Sequence, residues 1–431
     1  MAKIKPFKAV IYNKEKVKDL ARVVCPPYDV ISPSRQEYFH RLDPYNFIHI
    51  ILGKDVPGED KYRRAAACFK EWLGKGIFTE DSSPAVYFYS HQYHLKGEKK
   101  TRLGFIALLH LGEKNSSTYA HENTRSEAKE DRLKLTRKVK ANLSPIFVLF
   151  SDRKRIIPRL YEQQIKDKKP FIEITDDDKN VHKIWRIDDP KTLEDIQAKI
   201  SSENTFIADG HHRYEVACAY RDEIKKKMGS LPEDSSLNYV LTYFTNIESL
   251  GLIVLPIHRL VKPASAFSMQ DFMQRLKINF GVEEVRDKTR FFFLLEKAGR
   301  SEHVIGMYKN RKYWLVRLKN IKTLDKSISD KSKEYRSLDV SILNYLILKD
   351  ILGIPLEDKE QITFSNDPQD FILEVDRNDN YIAFFLNPVK VNQIISVALA
   401  GNKMPAKSTY FYPKVLSGLV INKHTNHLGS Q

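Results

Sequence analysis

The sequence predicts a mixed α+β protein with more than one domain. Short apolar runs typical of strands alternate with longer stretches in which apolar residues recur at helical spacing. The chain has 431 residues, a length that suggests two or three domains and allows a sizeable core. Hydrophobic residues make up 42% of the chain and charged residues 29%, as in globular proteins that fold in water.

The N-terminal segment combines a rigid loop with helices. Two consecutive prolines fix the backbone of the loop 25–34 and push the residue before each of them into an extended conformation. Such a loop either presents a side chain, here Tyr28 or Asp29, or only connects two elements. Residues 34–41 have helical composition, and residues 62–74 predict an amphipathic helix that ends at a glycine.

The next part of the chain predicts a strand hairpin and then a long helix. Strand-like runs occupy residues 85–90, 92–95 and 103–109. The turn 96–98 is typical of a hairpin. Residues 125–141 predict a long helix, because Thr124 and Glu127 form a Thr-x-x-Glu capping box at its start. Residues 144–150 then predict another buried strand.

The remainder of the chain continues the alternation of strands and helices. Residues 206–208 predict the end of a buried strand that leads into a helix at 214–225. Further strands are predicted at 239–246, 252–256, 304–308, 313–318 and 381–386. Further helices are predicted at 269–280, 338–352 and 389–400. We therefore expect a first domain at 1–262 and a second, smaller α+β domain at 263–431.

Charge and cysteine content narrow the functional class. The net charge is +16, which attracts polyanions such as nucleic acids or phosphorylated small molecules. The positive charge is spread along the chain, and neither zinc-finger spacing nor a basic region with heptads is present, so nucleic acid is not indicated as a partner. Three cysteines without metal-ligand spacing favour reduced thiols in the cytoplasm. No apolar run is long enough to predict a membrane span or a secretory signal.

The stretch around Asp209 has the composition of an anion-binding turn. A strand, a glycine and a helix follow one another, which places free main-chain N–H groups beside the cationic side chains of His211, His212 and Arg213. Gly210 lets the backbone approach a ligand closely. Asp209 would be badly placed in a pure anion site, so we expect it to hold a metal ion or a substrate hydroxyl. The alternative is an ordinary strand–helix junction with solvated histidines.

Two other stretches carry residues suited to group transfer. His121 and Glu122 precede the long helix; a carboxylate there can take a proton from a hydroxyl, and the imidazole can position a substrate or a phosphate oxygen. Lys407, Ser408 and Thr409 lie between two prolines and supply one ammonium group and two hydroxyls for an anion. Neither stretch identifies a reaction when it is taken alone.

Four motifs together resemble the domain-of-unknown-function family 1015. They are Pro-Pro-Tyr-Asp-Val-Ile at 26–31, Ala-His-Glu-Asn at 120–123, Ala-Asp-Gly-His-His-Arg at 208–213 and Met-Pro-Ala-Lys-Ser-Thr at 404–409. The resemblance covers essentially the whole chain. The Asp-Gly-His-His-Arg core also resembles the ParB/sulfiredoxin superfamily, in particular the free-serine kinases of archaea. This implies a ParB/sulfiredoxin-like catalytic core and a smaller α+β region whose C-terminal segment returns to the active site.

The resemblance implies a role for each matching residue. Glu122 matches the glutamate that acts as base on the serine hydroxyl, with His121 beside it, and Asp209 matches the acidic residue near the reacting groups and the metal. The residues that match the phosphate-binding or donor-binding positions are Gly210, His211, His212, Arg213, Lys407, Ser408 and Thr409. Further candidates are Tyr28, Asp29, Arg132 and Lys414. The sequence departs from those kinases in the longer interval between Glu122 and Asp209, filled by residues 151–200, and in Ser408, which replaces a threonine.

The expected function is that of a cytoplasmic small-molecule kinase. A phosphotransferase with an alcohol group as acceptor would convert free L-serine to O-phosphoserine with Mg²⁺. No Walker motif or protein-kinase glycine-rich loop is present, so the donor is either pyrophosphate, which is slightly favoured, or an adenine nucleotide (ADP or ATP). One alternative is a ParB-like regulatory protein that binds CTP and acts on DNA or a protein partner. Another is a nuclease or phosphatase that uses the same turn for hydrolysis.

Overall fold

The computed structural model describes residues 2–112, 117–122, 124, 126–264, 267–356 and 360–424. The described chain divides into unit 1 (Met1–Ala120, Thr124–Leu252 and Pro413–Gln431) and unit 2 (His121–Asn123 and Ile253–Tyr412). In this division the main part of unit 2 begins at Ile253, and Pro413–Gln431 belongs to unit 1. The mixed α+β class predicted from the sequence is confirmed.

Unit 1 is built on a large mixed sheet. Its strands are β1 (Ile4–Lys5), β2 (Val10–Tyr12), β3 (Phe78–Glu80), β4 (Val86–Leu95), β5 (Glu98–His110), β6 (Thr118–Ala120), β7 (Ala141–Asn142), β8 (Ile146–Phe150), β9 (Ile172–Thr175), β10 (Val181–Ile187), β11 (Thr205–Asp209), β12 (Tyr239–Asn246) and, after the strands of unit 2, β21 (Asn422–Lys423). The large sheet has the order β6-β11-β8-β12-β5-β4-β10-β9, with β1 added along β5. Strands β8 and β12 are parallel, as are β6 and β11.

Helices and short strand pairs complete unit 1. The helices are α1 (Pro33–Leu42), α2 (Ile48–Ile51), α3 (Lys61–Gly74), α4 (Ser126–Val139), α5 (Ile156–Leu160), α6 (Pro190–Ile200) and α7 (His211–Met228). Strand β2 pairs with β3, and β7 pairs with β21. Apolar residues of α5 and α6 join those of one sheet face in a common core, whereas α2, α3 and α4 contribute to a second core. Cys25 belongs to the second core, Cys68 packs against it, and Cys218 packs against the first core.

The other face of the large sheet carries a buried polar row. His91 of β4 lies opposite Arg102 of β5, and both side chains are fully buried. His182 of β10 joins them, with its ring centroid 4.2 Å from that of His91. The Tyr89 hydroxyl lies 2.6 Å from Nδ1 of His182. Burying these polar groups costs free energy unless they bond to one another, so the row is a specific internal network.

Unit 2 has its own sheet and core. Its strands are β13 (Ile253–Leu255), β14 (His258–Val261), β15 (Phe280–Val285), β16 (Val304–Lys309), β17 (Lys312–Leu318), β18 (Ile362–Ser365), β19 (Ile382–Phe385) and β20 (Tyr410–Tyr412). The main sheet has the order β15-β17-β16-β19-β14-β18, and β13 pairs with β20. The helices are α8 (Met269–Asn279), α9 (Lys288–Ala298), α10 (Leu324–Ser327), α11 (Lys333–Arg336), α12 (Asp339–Ile342), α13 (Pro368–Arg377) and α14 (Val391–Leu399). Residues of α9 and α13 pack on the sheet.

Most predicted elements are present, with two differences of kind. The runs predicted as separate strands at 85–90 and 92–95 form the single strand β4, because the His91 side chain is buried within the sheet rather than exposed at a break. The helix predicted at 338–352 is one α-helical turn, α12, that continues as a π-helix over Leu343–Lys349. Among the described helices, none combines the length and the apolar composition that crossing a membrane requires.

Candidate active site

A β-bulge positions Asp209 at the end of β11. The pairing of β11 with β8 shifts register between Ile207 and Asp209, so Asp209 lies opposite Phe147. A bulge of this kind changes the face to which the next side chain points. Phe147 is in turn paired with Tyr243 of β12, on the sheet face that carries the buried polar row. The bulge therefore brings the Asp209 carboxylate to that polar face.

Gly210 makes the turn from β11 into α7. Its φ is +87°, a left-handed conformation that favours glycine, and it precedes the first residue of the helix, His211. A Cβ at this position would lie only 3.0 Å from the guanidinium group of Arg213. The glycine thus allows both the turn and the path of the Arg213 side chain, which folds back over the start of α7. His211 is buried at this helix end.

Asp209 is held by two cations within unit 1. Its Oδ2 accepts a hydrogen bond of 2.6 Å from Nη2 of Arg213, and its Oδ1 accepts one from Nζ of Lys414. The three side chains are only 11–13% exposed. Burial alone would raise the pKa of the Asp209 carboxyl, but the charges of Lys414 and Arg213 outweigh burial and hold that pKa well below its ordinary value. Asp209 is therefore an ionised anchor for the two cations.

The cation pair makes Asp209 a poor metal ligand in this arrangement. Both of its oxygens are engaged by positive groups, which would repel a divalent cation. Nor do three or more His, Cys, Asp or Glu side chains converge on a metal site in the part of the chain that the structure describes. The arrangement therefore does not support the predicted metal role of Asp209, and we derive no step through a metal at this residue.

The buried polar row supports the segment that carries Lys414. Nη2 of Arg102 donates a hydrogen bond of 2.8 Å to the main-chain carbonyl of Pro413. The same guanidinium lies 4.7 Å from the ring centroid of Phe147, the strand partner of Asp209. Arg102 consequently fixes the backbone next to Lys414. Its polar environment could not be inferred from a sequence in which it is one of many basic residues.

The rigid proline loop contributes the ring of Tyr28, which lies against a cation of helix α4. Tyr28 lies under the guanidinium of Arg132, with 4.2 Å between the guanidinium carbon and the ring centroid. Arg132 also donates to the carbonyl of Ile51 at 2.6 Å and to the carboxylate of Asp131. It is buried and committed to these contacts, whereas Asp29 is exposed. Tyr28, Arg132 and Arg213 line a common cavity with about 510 Å³ of space, including its open mouth.

Glu122 is held by the Lys407 segment within unit 2. The main-chain N–H of Met404 donates to the carbonyl of His121 at 2.6 Å, and Glu122 forms a parallel bridge with Met404. Oε1 of Glu122 accepts a hydrogen bond of 2.6 Å from the main-chain N–H of Lys407. Lys407 has a φ of +61°, which is uncommon for a residue other than glycine. The predicted base, Glu122, thus contacts residues 404–409, which we call the late segment. The hydrogen bond to its carboxylate comes from Lys407, the residue with the left-handed backbone.

The other side chains of the two motifs bond within unit 2. Nε2 of the buried His121 lies 3.3 Å from the Thr409 hydroxyl. The Ser408 hydroxyl donates to the carbonyl of Pro405 at 2.6 Å. Ser408 and Thr409 are buried, while the Lys407 side chain is exposed. In this arrangement the two hydroxyls shape the segment, and the ammonium group of Lys407 is the part of it that faces solvent.

Arg259 is a further residue of this site that the predicted set did not include. Arg259 is 1% exposed, and its guanidinium donates to the carbonyls of Lys407, at 3.0 Å, and Ile257. Burial lowers the pKa of Arg259 to about 9, while the charge of Glu122 opposes that shift. In the sequence Arg259 stands beside His258 and directly before the apolar Leu260 and Val261 of β14. Arg259 therefore supports the backbone of Lys407, and the N–H of Lys407 in turn bonds Glu122.

Comparisons with known proteins identify a family and similar structures. A model of the family described as protein of unknown function (DUF1015) matches residues 4–341. The comparison with curated proteins found no match. Similar solved structures are a free serine kinase variant in complex with ADP (12% identity, 71% of this chain and 87% of that chain covered, TM-score 0.34), a conserved hypothetical protein from Pyrococcus furiosus (12%, 71% and 90%, 0.32) and SbnI with a C-terminal truncation from Staphylococcus aureus (10%, 73% and 86%, 0.36).

Proposed function

Since this chain belongs to the family described as protein of unknown function (DUF1015), we propose for it the function that its motifs imply, a kinase of free L-serine. The enzyme is a phosphotransferase of the cytoplasm with an alcohol group as acceptor. The serine hydroxyl oxygen attacks the terminal phosphoryl group of the donor and gives up its proton. The products are O-phosphoserine and the remainder of the donor, which is phosphate when the donor is pyrophosphate.

The observation that carries the proposal is the setting of Glu122. A carboxylate held by a main-chain N–H at 2.6 Å keeps a fixed orientation, as a general base requires. The ring of His121, the preceding residue, lies against Thr409 of the same late segment. In the proposed reaction Glu122 accepts the proton of the serine hydroxyl, and His121 orients the acceptor.

The donor side of the proposal rests on the turn before α7. Its main-chain N–H groups and the cations Arg213 and Lys414 suit the oxygens of a transferring phosphoryl group. Asp209 keeps these two cations in place. Magnesium is proposed as an ion bound to the donor phosphates, where it would neutralise their charge. Pyrophosphate and an adenine nucleotide, ADP or ATP, remain the proposed donors.

A donor screen tests the proposal directly. The full chain is incubated with L-serine, MgCl₂ and one of pyrophosphate, ADP, ATP or CTP, and phosphoserine is measured by mass spectrometry. We expect phosphoserine with pyrophosphate or with an adenine nucleotide. If no donor gives phosphoserine, the kinase proposal fails. Release of phosphate that does not depend on serine would indicate a hydrolase instead, and CTP-dependent, salt-sensitive DNA binding would indicate the ParB-like alternative.

Glu122→Gln tests the assignment of the base. The amide keeps a carbonyl oxygen that can accept the Lys407 N–H but cannot take a proton. Because a general base contributes about 10²- to 10⁴-fold, kcat is expected to fall by roughly that factor. Donor binding, measured by calorimetry, should stay within about threefold, since the change removes no contact to the proposed donor site. Turnover like that of the unchanged protein would contradict the role of Glu122.

A further inference from the structure

A small recess in unit 2 adjoins the segment that holds Glu122. It encloses about 320 Å³, including its mouth, between the first turn of α12, the loop after β19 and the late segment. Its walls include Ile257, Leu386, Asn387, Gln393 and Ser408 together with Asp339. Ile257 and Leu386 are buried apolar residues. The recess is therefore a partly apolar hollow with room for one water-sized group, such as an ammonium.

Asp339 gives the recess its charge. Among the described residues that line the recess, Asp339 has the one ionisable side chain. Its Oδ1 lies 2.8 Å from Nδ1 of His303, and its side chain is 19% exposed. Leu338 and Val340 on either side are both 1% exposed, so the backbone that carries the carboxylate is fixed in the core. A carboxylate against apolar walls favours a compact cation that can donate hydrogen bonds.

The position of Ser408 connects the recess to the proposed reaction. Ser408 lines the recess and directly follows Lys407, whose N–H bonds Glu122. Consecutive Cα atoms are about 3.8 Å apart, so Ser408 of the recess and the Lys407 N–H that bonds Glu122 belong to the same turn. A donor phosphate would be repelled by Asp339. The recess is thus suited to the acceptor side of the reaction.

We propose that this recess binds the α-ammonium group of the acceptor amino acid, with Asp339 as its counter-ion. The inference rests on the proposed function and deepens it, because it states why the acceptor is a free amino acid. A hydroxy acid of the same size lacks the ammonium group and places no positive charge beside Asp339. Asp339 is consequently a specificity-determining residue for amines over other small hydroxyl compounds.

The test compares two acceptors in the full chain and in Asp339→Asn. The amide is close to isosteric and can still accept a hydrogen bond from His303. L-serine carries the ammonium group, whereas glycerate is a matched hydroxy acid without it. Losing one partner of a partly buried charge pair is expected to raise KM for L-serine by about 30-fold or more. The specificity constant kcat/KM for glycerate, low in the unchanged protein, should stay within about threefold or rise.

Controls separate this inference from the proposed function. Asp330→Asn removes an exposed carboxylate of the same unit, which pairs with Lys331, and should leave both acceptors unaffected. L-serine binding without donor is measured by calorimetry. Binding that Asp339→Asn weakens supports the recess even if no phosphoserine forms, a result that would defeat only the kinase proposal. An unchanged KM and unchanged binding of L-serine in Asp339→Asn, or equal losses for serine and glycerate, would overturn the inference.

Discussion

The carboxylates of Asp209 in unit 1 and Glu122 in unit 2 have opposite surroundings. Asp209 contacts two cations, one at each oxygen. Glu122 accepts from the main-chain N–H of Lys407 and also interacts with the charge of the buried Arg259. Two contacting cations keep a carboxylate ionised, whereas a hydrogen bond from a main-chain N–H fixes the orientation of a carboxylate. The difference suits Asp209 to organising cations and Glu122 to accepting a proton.

The two carboxylates also differ in how their units hold them in place. In unit 1 the bulge, the glycine and the buried Arg102 place Asp209, Arg213 and Lys414 together. In unit 2 a strained residue, Lys407, and its support, Arg259, hold Glu122. The first arrangement depends on side-chain charges and the second on main-chain geometry. Substitutions that remove charge without moving the backbone should therefore affect the two units differently.

The largest expected effect is the loss of stability in Asp209→Asn. The variant removes the buried carboxylate charge that both Lys414 and Arg213 contact, so the free energy of unfolding at pH 7 should fall by about 3–5 kcal/mol. The folded-state pKa of Asp209 lies below its ordinary value of 3.8, so the ionised group stabilises the fold above about pH 4. That contribution is lost as the pH falls through the folded-state pKa.

Urea unfolding at pH 7, 5 and 3 measures this dependence. The difference between the unchanged protein and Asp209→Asn should be the same at pH 7 and 5 and smaller at pH 3. Asp330→Asn, which removes an exposed carboxylate, is the control and should change stability by less than about 0.5 kcal/mol at each pH. A difference that grows on acidification would show that Asp209 is not held ionised by its two cations.

An intermediate effect is expected from Arg259→Met. The variant keeps an apolar stem in the core but removes the positive charge near Glu122, which favours the protonated carboxyl. The acid limb of the pH profile of kcat/KM for serine should move to higher pH by about one unit, equivalent to about 1.4 kcal/mol. Arg259→Lys, which restores a charge, should reverse much of that movement.

Arg336→Met is the matched control for the Arg259 experiment. It removes an arginine of the same unit that pairs with Asp325 at 2.9 Å. We expect the acid limb of the kcat/KM profile of Arg336→Met to coincide with that of the unchanged protein. If Arg259→Met and Arg336→Met lower activity equally at every pH, Arg259 acts on folding alone and its charge does not reach Glu122.

The local sequence pattern predicted most helices and strands, but it did not predict the continuous strand β4 or the π-helix at Leu343–Lys349. The helix predicted at 62–74 is observed as α3, because its apolar residues recur at helical spacing and a glycine ends it. The polar His91 indicated a break in a strand that is in fact continuous, since aromatic and basic partners bury it. The π-helix at Leu343–Lys349 depends on tertiary packing and leaves no periodic signal. Sequence periodicity therefore describes the apolar core better than the polar interior.

The candidate site was predictable as motifs but not as contacts. Lys414 was one of several late candidates, and its partner Asp209 lies 205 residues earlier, beyond any local pattern. Arg259 was not part of the predicted site, because its partners are main-chain carbonyls, which every residue carries. The left-handed conformation of Lys407 was likewise invisible, since lysine gives no turn signal of the kind that glycine gives at position 210. Residue types indicated the chemistry, whereas the supporting geometry needed the fold.

The smallest expected effect, and the sharpest test of the comparison, comes from two substitutions of Lys407. Lys407→Gly removes the exposed ammonium group and adopts φ +61° without strain, so the N–H bond to Glu122 is kept. Lys407→Val removes the same charge, but its β-branched side chain disfavours that conformation by about 1–2 kcal/mol. In both variants KM for the donor should rise severalfold if the ammonium binds phosphate. Only Lys407→Val should also lower kcat, by about tenfold, because only there does the donor to Glu122 move; equal kcat values would show that the main chain at Lys407 does not position the base.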